Sequence, residues 1–340
     1  MVKSPTIRDV ARTAGVGVGT VSRVLNESPL VSEATRQKVQ LAIEALDYRP
    51  SGVARRLSSG RGALAVGVIV PFFTRPAFVG RLQGVEAALA HSDYDLILYN
   101  VESPQQRDNL FQRIAAEQRV DGLITISLNP TEHQLEQFDR YGVPVVLLDA
   151  RHPAVSSISI DDVDGGRQVA KHLIGLGHER IAYISDQMDD GFGFKTSRER
   201  LSGLRETMAQ HHLQFDLAYH QQGEHGRHVA YRLAEALFDL PESPTAIFAA
   251  SDTQAIGVME AARARGLRIP QDISIVGYDD IELAEYVGLT TVHQPLYQSG
   301  VEAVNSLLHR LAPEDGPPPP LLRTLPVELI VRETTASPRQ

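Results

Sequence analysis

Two groups of residues have types and spacing that could do chemistry: glycines at 15, 17 and 19 ahead of Thr20, and aspartates that end short apolar runs. A glycine-rich turn can cradle a phosphate, because its backbone N–H groups approach the anion closely at a helix start. That chemistry fails here on spacing, since G-x-G-x-x-G would need glycine where Thr20 stands, and no Gly-Lys-Ser/Thr is present. It also fails on context. A dinucleotide loop follows a strand, whereas TIRDVARTAG has apolar Ile7, Val10, Ala11 and Ala14 at helical spacing. With no cysteine, thiol catalysis, disulfides and the usual zinc sites are excluded. The histidines at 211 and 212 and in EHGRH (224–228) lack ligand spacing and read as surface residues. No Ser-His-Asp order stands out either, so the expectation is a protein without metal, cofactor or catalysis.

The aspartates point elsewhere. In open α/β sheets, ligands sit beyond the carboxyl ends of the strands. Applied to the apolar runs, that rule selects Phe72 and Phe73 after AVGVIVP, Asp149 after VVLL, Ser251 and Asp252 after IFAA, and Asp279 after IVGY. Each aspartate has a plainer role as the cap of the next helix. Three carboxylates, aromatic rings and the segment TSRERLSG together favour a polar ligand gripped by hydrogen bonds and stacking.

The elements that would position these residues fall into two regions. In the first, Thr6 caps a helix that Gly15 ends, and a second helix carries Val18, Val21, Val24 and Leu25 on one face and Thr20, Ser22, Arg23 and Asn26 on the other. Two short helices around a glycine turn form a helix-turn-helix. A third, capped by Ser32, turns Val39, Ala42, Ile43 and Leu46 inward, and Val10, Val21, Leu25 and Leu46 are the expected core. Pro50 then opens a short helix with Val53, Ala54 and Leu57 on one side and Arg55, Arg56 and Arg61 around them. Such a segment is too short to be stable alone in water. Residues 1–62 hold ten Lys/Arg against five Asp/Glu, while 63–340 hold 23 against 37. A basic module on an acidic body is the footprint of nucleic-acid binding.

From 63 onward, Val/Ile-rich runs (AVGVIVP, DLILYN, GLITISL, PVVLLD, then RIAYIS, AIFAAS, ISIVGYD) alternate with amphipathic helices. That pattern predicts parallel sheets covered on both faces. The expected fold is a small all-α helix-turn-helix domain (1–49), a hinge helix and linker (50–62) and an α/β two-lobed domain of two doubly wound sheets (63–335). The first lobe takes 63–161 with 293–318, and the second 162–292 with 319–335. TTVHQP and the proline run at 317–320 mark the crossings. The longest apolar run, ALAVGVIVPFF, is far short of a membrane span.

The stretches TIRDVARTAGVGVGTVSRVLN and VSEATRQKVQLAIEALDYRPSGVARRLSSG, with the lobes behind them, resemble the LacI/GalR family of transcriptional repressors over nearly the whole chain. The resemblance implies a second helix in the major groove and a DNA-facing set of Thr6, Val18, Gly19, Thr20, Ser22, Arg23 and Asn26. Arg23 would read a guanine edge. In the hinge, Arg55 joins this set and Leu57 matches the leucine that relatives wedge into the minor groove. It also implies an effector domain like the periplasmic sugar-binding proteins. Arg200 and Asp279 match residues that grip the effector, Asp252, Asp149 and Phe78 match pocket positions, and Phe194 and Thr196 sit where relatives vary with their ligand. Gly17, Val18 and Gly19 depart from the larger side chains of many relatives, so readout should rest on Arg23, the hinge and DNA shape. The function so implied is a cytoplasmic homodimeric repressor of carbohydrate genes, with a palindromic double-stranded operator, a sugar effector and no membrane contact. A purine-responsive regulator and a sugar-binding protein without a DNA role are the alternatives.

Overall fold

The computed structural model describes residues 6–25, 28, 30–46, 64–117, 119–189, 191–312 and 318–339. The expected hinge helix, with Arg55 and Leu57, and Asn26 lie outside the described residues.

Three helices form the N-terminal module: α1 (Ile7–Ala14), α2 (Val18–Leu25) and α3 (Glu33–Ala45). Thr6 caps α1 in extended conformation; its N–H donates to the Asp9 carboxylate at 2.9 Å and its hydroxyl does so at 2.6 Å. Gly15 ends the helix at φ 66°, the left-handed conformation that costs glycine least. Val10, Val21 and Val39 are fully buried, with Ala11, Val24 and Ala42 around them. The expected core members Leu25 and Leu46 pack half-buried at its edge. Val18 departs from the expected apolar stripe, because at the first position of α2 it projects past a core that begins at Val21, and 42% of it is exposed.

The body contains β1 (Ala65–Pro71), α4 (Pro76–Leu89), β2 (Asp95–Val101), α5 (Pro104–Glu117), β3 (Gly122–Ile126), α6 (Glu132–Arg140), β4 (Val145–Leu148) and β5 (Ser156–Ile160) in its first lobe. The second lobe follows with α7 (Asp162–Gly175), β6 (Ile181–Asp186), α8 (Thr196–Gln210), β7 (His220–Gly223), α9 (Arg227–Phe238), β8 (Ala246–Ala249), α10 (Asp252–Ala264), β9 (Ser274–Val276) and α11 (Glu282–Tyr286). The chain closes with β10 (Thr291–His293), α12 (Leu296–Leu311), β11 (Leu322–Leu325) and β12 (Glu328–Ile330). The first sheet is parallel, ordered β11-β5-β4-β3-β1-β2, and the second is parallel, ordered β7-β6-β8-β9. Strands β10 and β12 pair antiparallel in a separate two-stranded sheet.

One boundary needs correction. Residues 319–335 were expected in the second lobe, but β11 pairs with β5 from Leu322–Ser157 to Leu325–Ile160 and extends the first sheet. Only from β12 does the chain leave that lobe. Strand β5, sequence SSISI, escapes an apolar-run search because three of its five residues are serines. Their hydroxyls are satisfied nearby: Ser157 donates to the Val155 carbonyl at 2.9 Å, and Ser159 accepts from Arg151 Nε at 2.8 Å.

Helices α7 and α8 cross at glycine. A Cβ on Gly203 would lie 2.0 Å from the Val163 carbonyl oxygen, and one on Gly166 would lie 2.1 Å from that of Arg200. Backbone meets backbone there, so nothing soft can yield. Gly203→Ala is expected to cost about 1–3 kcal/mol, the overpacking range, and to lower the thermal midpoint by roughly 2–4 °C for each kcal/mol. An unchanged midpoint would show that the crossing can open without penalty.

Candidate functional site

The carboxyl ends of the strands carry unusual backbone. Phe72 (φ 46°), Ser127 (55°), Asp149 (59°) and Asp279 (121°) are non-glycine residues with positive φ, and each follows a strand end by one to three residues. Such conformations persist only where surrounding structure enforces them, and they concentrate at ligand sites. Three of the four line the crevice between the lobes.

The crevice has two adjoining chambers, one slightly larger than the other, that share Ser127, Asp149, Phe194 and Thr196. The larger is lined by buried charge. Arg81 ion-pairs with Asp149 at 2.8 Å and donates to Gln294 Oε1 at 2.9 Å, and Gln294 in turn donates to Asp279 Oδ1 at 2.5 Å. Ser127 donates to the other Asp149 oxygen at 2.5 Å. Arg200, on the first turns of α8, donates from Nε to Asp162 at 2.7 Å and from Nη1 to the Ala250 carbonyl, while its guanidinium lies 3.5 Å from the Tyr278 ring centroid. Asp186 accepts from His225 Nδ1 at 3.1 Å and from Gln254 at 3.0 Å.

Burial decides how these groups titrate. It pushes the Asp279 carboxyl up to about 6, against the opposing charges of Arg200 and Arg81. It does the same to Asp162, again to about 6 despite Arg200. Asp186 is also pushed up by burial, but the His225 hydrogen bond and the charges of His225, Arg75 and Arg200 outweigh that and hold it low. For Arg200, burial favours loss of the proton, and Asp162 overrides it and raises the pKa. The site is therefore a set of buried polar groups fixed by one another, whose remaining donors and acceptors are pre-oriented for a polar ligand.

Of the residues expected at the ligand site, Phe78, Asp149, Phe194, Thr196, Arg200, Ser251 and Asp279 line the crevice. Ser251 also caps α10, accepting from Gln254 N at 3.2 Å. Three expectations are corrected. Asp252 is fully buried, with Oδ2 taken by the Ile281 N–H at 2.9 Å and Oδ1 by the Thr291 hydroxyl, so it ties the start of α11 to β10. Phe72 turns away from the chambers and meets Phe192 edge-on at 5.4 Å. Phe73 is 39% exposed, and its N–H donates to the Asn100 side chain. The strand-end rule fails for this pair because the left-handed turn at Phe72 redirects the chain.

Arg81, Asp186, His225 and Gln294 were not foreseen. Asp186 ends β6, and the same rule applied to RIAYIS would have found it. His225 belongs to EHGRH, expected at the surface, yet it is half-buried in the crevice wall. Arg81 sits inside a helix and Gln294 in a crossing, positions that carry no local signal. Among the described residues, no cluster of His, Asp and Glu could hold a metal, and no helix is long and apolar enough to cross a membrane.

On the N-terminal module, Val18, Gly19 and Arg23 are exposed, while Thr20 and Ser22 are half-buried. The Thr6 hydroxyl is engaged with Asp9.

Residues 6–51 match the family described as bacterial regulatory proteins, lacI family, and residues 170–335 match the periplasmic binding protein-like domain. The chain is 37% identical to the HTH-type transcriptional repressor PurR of Vibrio atlanticus (strain LGP32), covering 91% of this chain and 93% of that one. The PurR of Vibrio vulnificus (strain CMCP6) is 35% identical over 97% and 98%. Among solved structures, a complex of the transcriptional regulator CelR with cellobiose is 34% identical, with a TM-score of 0.70 over 97% of this chain and 99% of that one. The Lac repressor bound to ONPG in the repressed state is 30% identical, with a TM-score of 0.83 over 98% and 100%.

Proposed function

This chain belongs to the lacI family of bacterial regulatory proteins, DNA-binding transcriptional repressors with a small-molecule effector, and from that premise we propose that its effector is a sugar. As a homodimer in the cytoplasm it would repress carbohydrate-utilisation genes through a palindromic operator, without catalysis. One observation carries the sugar reading. Asp279, Arg81, Gln294 and Arg200 present fixed, charge-assisted donors and acceptors around a chamber that Phe78 and Phe194 enter from the side. Hydroxyl-rich rings suit that arrangement, each pair of hydroxyls meeting carboxylate or guanidinium while the ring face meets an aromatic. A purine would ask for a ring on both of its faces, and Ala77, beside Phe78 in the same wall, supplies none. CelR, 34% identical, is solved with cellobiose.

Gln294 occupies Asp279 Oδ1, and Oδ2 has no hydrogen bond among the described residues. It is the natural acceptor for a sugar hydroxyl. Asp279→Asn keeps the shape and the Gln294 contact but removes the charge, so sugar affinity should fall about 10- to 100-fold, the worth of a charged hydrogen bond of roughly 1.5–3 kcal/mol. Lowering pH through about 6 should act in the same direction, since it protonates Asp279. Calorimetric titration at pH 7.5 and pH 5.5 reads both effects. A thermal-shift panel of glucose, galactose, cellobiose and hypoxanthine, run with a gel shift on DNA flanking the gene, tests the reading itself. Stabilisation by hypoxanthine alone would replace the sugar with a purine.

A further inference from the structure

We propose that a clasp outside the chambers, in which Phe192 of the second lobe docks on Phe72 and Arg107 of the first, holds the two lobes together without help from a ligand. Phe72 is the starting point. Of the four left-handed residues at strand ends it alone does not line the crevice, and such a conformation persists where the surrounding structure enforces it. Its carbonyl accepts from Arg75 N at 2.9 Å, which closes the turn, and the Arg75 guanidinium lies 4.1 Å from the Phe72 ring centroid. The ring is thereby presented to the other lobe, where Phe192 meets it edge-on at 5.4 Å. Phe192 lies in the connection between β6 and α8, yet it is only 7% exposed.

Three further contacts hold the same edge. Arg107, on α5 of the first lobe, donates to the Phe192 carbonyl at 3.1 Å, with the Gly191 carbonyl alongside at 3.5 Å. Its Nε donates to Asp108 at 2.9 Å, so the guanidinium is aimed by its own lobe. Gly191 comes so near α5 that a Cβ built on it would lie 2.9 Å from Pro104 Cγ and 3.8 Å from Pro104 Cβ. Arg75 Nη1 lies 4.0 Å from Asp186 at the end of β6. All of these contacts join protein to protein across the lobes, and a buried aromatic pair and a charge-assisted hydrogen bond are strong for their size. Phe194 links the clasp to the site. Its ring stacks on Phe192, with 5.2 Å between centroids and 1° between planes, and it lines both chambers. Undocking Phe192 therefore moves a wall that the chambers share, and an effector response that separates the lobes has to break the clasp first.

The chain has no cysteine, which makes the test direct. Pro104→Cys with Gly191→Cys would set two Cβ atoms near the 3.8 Å found here, about the usual separation across a disulfide. Oxidised glutathione, with no sugar or DNA added, should crosslink most full-length chains within the protomer. Loss of free thiols, a linked peptide in mass spectrometry and no covalent dimer on a non-reducing gel read that result. In the unaltered chain, chymotrypsin should cut after Phe192 only while the clasp is open, so the rate of that cut follows the open population. Arg107→Ala with Phe72→Ala should speed it about tenfold or more, the worth of a charged hydrogen bond, while cuts elsewhere keep their rate. Arg107→Lys, which keeps a donor, should fall between. A folded cysteine pair that does not crosslink, or one rate of cleavage after Phe192 in all three proteins, overturns the clasp. Should cysteine at the left-handed Gly191 prevent folding, the cleavage comparison decides alone. Neither measurement uses a ligand, so the sugar reading stands or falls separately.

Discussion

Arg200→Ala is expected to lower stability by about 3–5 kcal/mol, the cost of leaving a buried partner charge uncompensated, and to remove effector binding with it. The residue is 6% exposed, and its side chain does three jobs at once. It neutralises Asp162, satisfies the Ala250 carbonyl and stacks on Tyr278. Alanine would strand Asp162, whose carboxyl burial already pushes up to about 6, and would drive it further toward the neutral acid. Arg200→Lys keeps the charge but loses the planar fork and the ring contact, so it should fall between wild type and alanine. The sharper test is a pair of single variants and their double. Replacing Arg200 by Met and Asp162 by Leu together should cost less than replacing Arg200 alone, because no lone buried charge remains. Thermal unfolding reads all of these, and a drop of roughly 6–20 °C is expected for alanine. A loss under about 1 kcal/mol would mean that water reaches Asp162 freely, contrary to its burial.

Such buried pairs explain which parts of the site were legible in the sequence. Asp149 and Asp279 were found because a strand end is marked by the apolar run before it, and a sheet places every such end on one edge. The rule could not rank them against Asp252, which has the same local context. What separates the three is tertiary. Thr291 and the Ile281 backbone, both distant in sequence, take both oxygens of Asp252, whereas among the described residues the Asp279 carboxylate accepts a hydrogen bond only from Gln294. Arg81 was invisible because nothing in PAFVGRLQGV distinguishes a buried arginine from a solvated one. Its ionic partner is 68 residues away and its hydrogen-bond partner 213. The fold was more legible than the site, since repeated Val/Ile runs are a local signal. It failed where strands are short and polar, as at β5 and β11, because there the hydrogen-bonded neighbour makes the strand.

The N-terminal module shows the opposite balance, with the helices legible and the chemistry resting on few side chains. Gly19 has no side chain to offer, and beyond its chain neighbours and its own helix backbone no described heavy atom lies within 4 Å of where its Cβ would be. Val18, exposed beside it, can offer only an apolar contact, such as one to a thymine methyl. Of the polar side chains in the described part of α2, Arg23 is the exposed one, since Thr20 and Ser22 are half-buried, and we propose that it carries the hydrogen-bonding readout. If Arg23 grips a guanine edge with two hydrogen bonds, Arg23→Ala should cost about 1–3 kcal/mol per half-site. A dimer on a palindrome makes that contact twice, so the operator complex would weaken by about 2–6 kcal/mol, more than any other single change in this module should produce. The form of the loss matters more than its size. A base contact predicts that wild type discriminates at one position of each half-site and the variant does not. A phosphate contact predicts equal weakening on every sequence and a salt slope lower by about 1 per contact. Gel shifts of both proteins on operators varied one base pair at a time, at two salt concentrations, separate these outcomes. Uniform weakening would move sequence readout away from α2 altogether.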